Sequence, residues 1–211
     1  MTPFKIDKIH SNLFSIPIYN PTLVNFLSMF SIEGSKNKHS TNIVADSIVC
    51  LNDFLLQFQD NLITYEYAYG FSHNIVKQLL YLEKQNQTIH AFSLDDFIVI
   101  NNSFLIFVNF HDIISIQDDK NIIIHSPYLK NKNTFFITTP MKNNTSLPLT
   151  IHYKNSYFSL AYLIIYLLYG KYYYDQKDNM NLIDNLMGTK LYYFLRNCLN
   201  EMPENRHICF F

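Results

Sequence analysis

The stretch Ser156-Tyr157-Phe158-Ser159-Leu160-Ala161-Tyr162-Leu163-Ile164-Ile165-Tyr166-Leu167-Leu168-Tyr169-Gly170 is apolar on nearly every face. A helix apolar all round is buried in a core or spans a membrane. A span needs about 20 apolar residues, and this run is shorter. Two serines lie near its start, and Gly170, a common helix-stop residue, closes it. It reads as a core helix around which the rest of the chain packs, and membrane association is not expected.

With 211 residues the chain has enough length for one sizeable core. The formal net charge of -1 argues against a general nucleic-acid binder, which would carry a basic face. The short basic patch Lys130 to Lys132 reads as solvated loop. Three cysteines, Cys50, Cys198 and Cys209, make an odd count without framework spacing, so reduced thiols and an intracellular setting are expected. Met1 to His10 lacks a charged start followed by an apolar core, so no signal peptide is read there.

Along the chain, Asn20 to Leu27 reads as a turn leading into an extended or mixed apolar segment, and Asn42 to Cys50 as a short strand. Leu51 to Phe58 begins a helix. Ser72 to Lys84 places Ile75, Val76, Leu79, Leu80 and Leu82 at helical spacing, with Ser72 as N-cap. Thr88 to Phe97 reads as loop. Phe97–Ile100 and Phe104–Val108, joined by Asn101-Asn102-Ser103, form a hairpin signal. Asp112 to Lys154 reads as a long irregular segment with short strands. Leu182 to Asn200 suits one or two amphipathic helices broken near Gly188 and stopped by Pro203.

Protein kinases carry H-R-D-x-x-x-x-N, D-F-G and A-P-E in that order. Here His90-Ala91-Phe92-Ser93-Leu94-Asp95-Asp96-Phe97 has the register of the first, Asn109-Phe110-His111 falls at the second, and Thr139-Pro140-Met141 at the third. Ser159-Leu160-Ala161 resembles the Ser-Leu-Gly of the kinase helix F, with Ser156 at that helix's usual aspartate. Cys198 to Arg206 is similar to the kinase stretch that ends in an arginine. Upstream, Asn20 to Leu27 resembles the segment after helix C, and Asn42 to Leu55 the fifth strand and hinge. The chain thus resembles the protein-kinase superfamily from about Asn20 onward. Its usage of Asn, Ile, Tyr and Lys suits an AT-rich genome, such as that of a large DNA virus.

The resemblance implies an α+β, protein-kinase-like fold, mainly the helical C-terminal lobe with a reduced N-terminal lobe. Residues 1–58 would be the reduced N-lobe and hinge remnant, and 59–211 the C-lobe. It also implies that the chemistry is gone. The chain has four glycines, Gly34, Gly70, Gly170 and Gly188, so no six-residue window holds even two of the three a phosphate-covering loop needs. The strand-three lysine and helix-C glutamate have no room before residue 20. Phe92 stands where the catalytic base would be and cannot accept a proton. Phe97 stands at the second metal ligand and offers no oxygen. Asn109, a neutral amide, stands where Mg²⁺ takes a carboxylate. The two phenylalanines are expected to fill the cleft. Met141 takes the place of the glutamate that would pair with Arg206, so that ion pair is lost.

Other groupings carry less. Asp95-Asp96 reads as a solvated acidic pair, and His90 as structural, with nothing to pair with it. Cys198, His207 and Cys209 lack a fourth ligand and standard zinc spacing. Tyr172-Tyr173-Tyr174 is an exposed patch or a core edge. The reading is therefore a catalytically inactive, pseudokinase-type module, without cofactor, acting through an unidentified protein partner or self-association. Two alternatives are residual ATP and Mg²⁺ binding with very weak kinase activity, in which Asn109 and Asp112 handle the metal, and a membrane-associated or structural viral protein.

Overall fold

The computed structural model describes residues 5–125, 135–136, 146–171 and 176–208. Lys130 to Lys132, Thr139 to Met141, Tyr172 to Tyr174 and Cys209 lie outside them. The fold is mixed α+β and divides into two compact units. One takes the chain up to Asn61 together with Leu94–Phe110; the other takes Leu62–Ser93 and the chain from His111.

The first unit opens with strands β1 (Asp7–His10) and β2 (Leu13–Ile16). Helix α1 (Pro21–Ser28) follows, where the sequence reads as a turn leading into an extended or mixed apolar segment. Asn20 caps it, its Oδ1 accepting from the Thr22 amide at 2.8 Å, and Pro21 occupies the first turn, where no amide is needed. Strands β3 (Gly34–Asn37) and β4 (Ser40–Val44) complete an antiparallel sheet in the order β1-β2-β4-β3. Gly34 permits the close approach of β3 to α1, because a Cβ there would lie 2.6 Å from Leu27 Cδ1.

The predicted strand Asn42 to Cys50 is in fact two, β4 and β5 (Ile48–Cys50), which leads into α2 (Leu51–Leu55). The break is held by Asn101, whose Oδ1 accepts from the Asp46 and Ser47 amides at 2.8 and 3.2 Å.

In the second unit, α3 (Tyr65–Glu83) starts a full two turns before Ser72. Ser72 is no N-cap. It is buried mid-helix, and its hydroxyl donates to the Ala68 carbonyl at 2.7 Å. The predicted loop Thr88 to Phe97 takes in most of β6 (Gln87–Ile89), then β7 (Phe92–Ser93) and a 3-10 turn over Leu94–Asp96.

The chain then returns to the first unit for the hairpin of β8 (Phe97–Ile100) and β9 (Phe104–Phe107), as its two apolar runs predict. Asn101 and Asn102 turn it with left-handed φ of 51° and 54°. β8 pairs with β5, giving a three-stranded sheet β5-β8-β9.

Back in the second unit, β10 (Ile113–Ser115) pairs with β6, and β11 (Asn121–Ile124) with a later strand. β12 (Phe135–Phe136) pairs with β7, and β13 (Leu149–His152) is the partner of β11. Ala91, Ile122, Ile124, Leu149 and Ile151 form one apolar cluster here. The all-apolar run is α4 (Asn155–Tyr169), ended by Gly170 in the left-handed conformation at φ 67°. Leu160, Leu163, Ile164, Ile165 and Leu167 are fully buried. At roughly 1.5–3 kcal/mol for each large apolar side chain, burial far outweighs the modest helix propensity of its Tyr and Ile residues.

Helix α5 (Gln176–Ile183) and helix α6 (Lys190–Cys198) follow, separated at Gly188 with φ 84°. Thr189 caps α6, its hydroxyl accepting from the Tyr192 amide at 3.1 Å. Helix α6 ends at Cys198, and Pro203 opens a separate 3-10 turn, Pro203–Asn205, instead of stopping the helix. No helix among the described residues is long and apolar enough to cross a membrane.

Candidate functional site

The hairpin fixes the first group of candidate residues. The turn Leu94–Asp96 enters β8, and Asn109 lies just beyond β9. Antiparallel pairing brings these two ends of the hairpin together. The Val108 amide donates to the Asp96 carbonyl at 2.8 Å, and Asn109 Nδ2 donates to Asp96 Oδ1 at 2.9 Å. Asp96 is only 2% exposed, so it is not the solvated acid that its neighbourhood suggests. An amide N–H aimed at a buried carboxylate is a charge-assisted bond, stronger than one between neutral groups. Asp95 is half-buried, and its Oδ1 accepts from Asn52 Nδ2 at 2.6 Å. The two adjacent acids thus have separate amide partners, from α2 and from the end of β9.

The side chain that meets Asn109 is therefore Asp96, one residue before Phe97. Phe97 is fully buried and lies edge-on to Phe107 at 5.6 Å. Phe107 in turn meets Phe110 at 6.4 Å, and Phe110 meets Phe26 of α1 at 6.2 Å. Phe92, in the other unit, is also fully buried, and β7 places it opposite Phe136 of β12.

His90 has a partner after all. Its Nδ1 lies 2.8 Å from the Asp112 carbonyl, and its Nε2 4.0 Å from Asp112 Oδ1. The Asp112 carbonyl also accepts the His90 amide at 3.3 Å, which extends the β6–β10 pairing by one step.

A second group of polar side chains sits where α4 begins. Arg206 is 5% exposed. Its Nε donates to the Asn200 carbonyl at 2.8 Å, Nη2 to the Glu201 carbonyl at 3.1 Å, and Nη1 to Asn155 Oδ1 at 2.7 Å and the Lys154 carbonyl at 3.4 Å. The guanidinium also lies 4.7 Å above the Phe158 ring. Burial pushes it down to about 10, which leaves it cationic at neutral pH. Nearby, Tyr157 Oη donates to Glu83 Oε1 at 2.7 Å, joining the start of α4 to the end of α3. Burial pushes the Glu83 carboxyl above its ordinary value, against the Tyr157 hydrogen bond and the Lys154 charge.

Cys198 is buried, and its thiol donates to the His207 carbonyl at 3.7 Å. Among the described residues no group of three or more His, Cys, Asp or Glu side chains is arranged to hold a metal. An open cleft of about 560 Å³ lies beside α6, lined by Tyr193, Arg196, Glu201 and Met202 among others. Tyr193 is 48% and Met202 60% exposed, and Met187, just before α6, is 66% exposed.

The sequence reading missed Asp96 and the Arg206 cage. The signal for Asp96 was the hairpin itself, whose turn at Asn101-Asn102 places residues 96 and 108 opposite each other. Compared with known proteins, the chain matches no family model and no curated protein.

Proposed function

We propose that this chain is a kinase-like module that has lost phosphoryl transfer and acts by binding a protein partner. The observation that carries the reading is the environment of Asn109. It stands where the resemblance puts the metal-binding aspartate, and its amide donates to a buried Asp96. A neutral amide in that bond is a poor substitute for a carboxylate in holding Mg²⁺. The base position fares no better. In the register that starts at His90 it is Phe92; if Asp96 is taken as the asparagine position, it becomes Ala91. Neither accepts a proton, and phosphoryl transfer depends on such positioning and charge stabilisation. The exposed Tyr193 and Met202 around the cleft beside α6 suit a protein contact, since clustered exposed apolar side chains mark interaction surfaces.

A second reading, residual cation and nucleotide binding, is favoured by Asp96, which keeps one carboxylate next to Asn109. One experiment tests both. A ligand that binds only the folded state, at 100 times its dissociation constant, adds about 2.7 kcal/mol of stability. Melting the protein with ATP, with and without Mg²⁺ or Mn²⁺, should therefore give no shift. A metal-dependent shift that disappears in Asp96→Ala would favour the second reading, and turnover of ATP onto a protein substrate would overturn the first.

A further inference from the structure

The junction between β13 and α4 is held by an imidazole. The Lys154 amide donates to His152 Nδ1 at 3.2 Å. An acceptor nitrogen must carry a lone pair, so the ring is neutral with its proton on Nε2. A second proton would turn the acceptor into a donor facing an N–H. We infer that His152 is a proton-sensitive latch: the neutral ring holds the start of α4, and the imidazolium releases it.

The surroundings bias the latch towards its neutral state. From the turn before β11, Lys120 faces the ring; from the start of α4, Lys154; from the C-terminal turn, Arg206 and Glu204. Three of these are cations, and only Glu204 favours protonation. Tyr153 stacks on the ring at 5.0 Å. Partial burial is the largest influence, and with the cations it holds the imidazole below its ordinary 6.5. A group depressed in the fold stabilises it fully above the unfolded value, and that contribution is lost as pH falls through the folded value. Acid therefore opens the latch.

Release has a path to follow. Lys154 gives its carbonyl to Arg206 and its Nζ to the Glu204 carbonyl at 3.0 Å. Arg206 links Asn155 to the carbonyls of Asn200 and Glu201, and both of these residues line the cleft beside α6. Mild acid should thus loosen residues 152–155 first and the cleft wall with them. That the cleft binds a partner rests on the proposed function; the latch itself does not.

The test is amide hydrogen exchange of the full chain at pH 7.5 and 5.5, corrected for intrinsic rates. It compares wild type with His152→Asn, whose side-chain oxygen can accept the same amide at any pH. In wild type, protection of the Lys154 amide should fall by roughly two- to tenfold on acidification, the factor that goes with one neutral hydrogen bond. In His152→Asn it should not change. His73, also held below its ordinary value by burial and Lys77, affects both proteins equally. Wild-type protection that ignores pH, or an acid-induced loss that persists in His152→Asn, would overturn the latch. If the variant does not fold, the ring carbon shifts of wild-type His152 decide: a proton on Nδ1 at neutral pH refutes it, and one on Nε2 supports it.

Discussion

Replacing Arg206 with alanine should cost the fold about 3 kcal/mol. Arg206 is 5% exposed, and burial lowers its guanidinium from 12.5 to about 10. That shift, the net of burial against neighbouring groups that favour the cation, corresponds to a penalty on the charged form on the order of 3 kcal/mol. Three short bonds from a charged donor, to Asn155, Asn200 and Glu201, oppose it. At roughly 1.5–3 kcal/mol each they more than offset that penalty. Truncation also leaves the Asn155 oxygen without this donor in a side chain 5% exposed. For a chain of this size each kcal/mol moves the melting point by about 2–4 °C, so a drop of about 10 °C is expected. Urea and thermal unfolding followed by circular dichroism measure it. Arg206→Lys should recover less than half, because one ammonium cannot reach acceptors on three sides in a fork. An alanine variant within about 0.5 kcal/mol of wild type would refute the carbonyl cage as a stabilising device. Full recovery by lysine would show that charge matters and the fork does not.

Three further outcomes follow from other contacts. Asn109→Asp sets a second carboxylate against Asp96 and should destabilise by about 1–3 kcal/mol at pH 7; added Mg²⁺ should raise the melting point of this variant and leave wild type unmoved. Glu83→Gln keeps an acceptor for Tyr157 and removes a carboxylate that burial disfavours. A raised carboxyl costs stability as pH rises through its folded value, so this variant should be more stable at pH 7 by less than about 1 kcal/mol. The gain should vanish below the ordinary 4.5 in a pH series of urea midpoints. Asn101→Ala removes two amide contacts and puts at φ 51° a residue that adopts the left-handed region less readily than asparagine, for a loss of about 2 kcal/mol in the same assay. Asn101→Gly should lose less, because only the contacts go.

Elements that bury a continuous apolar surface were legible. Helix α4 and the β8–β9 hairpin declare themselves through runs whose burial outweighs every local preference. Boundaries were not. Ser72 resembles a cap because serine competes for backbone bonds, yet its hydroxyl is spent on Ala68 inside a helix that begins at Tyr65. Asn20-Pro21 looked like a turn, and the same two residues suit a cap and first turn equally well. Strands β6 and β7 are three and two residues long, and their partners lie at Ile113–Ser115 and Phe135–Phe136. Nothing local to Gln87 or Phe92 encodes that pairing.

The site was misread for a related reason. Whether Asp96 is solvated depends on Asn109, thirteen residues on, and no property of the Asp95-Asp96 pair reveals it. Base and cation ligand are separate questions in this site. Under the proposed kinase-like reading, loss of the base holds in either register, since Phe92 and Ala91 both lack a proton acceptor. Loss of cation binding holds only if Phe97 is the ligand position; with Asp96 there, one carboxylate and one amide remain side by side, exchanged in order. Catalysis and binding therefore have different standing. On that reading a module without a base could still hold a nucleotide through Asp96 and Asn109. Binding must accordingly be measured before activity, because an inactive enzyme assay alone would not distinguish an empty module from a nucleotide-held one.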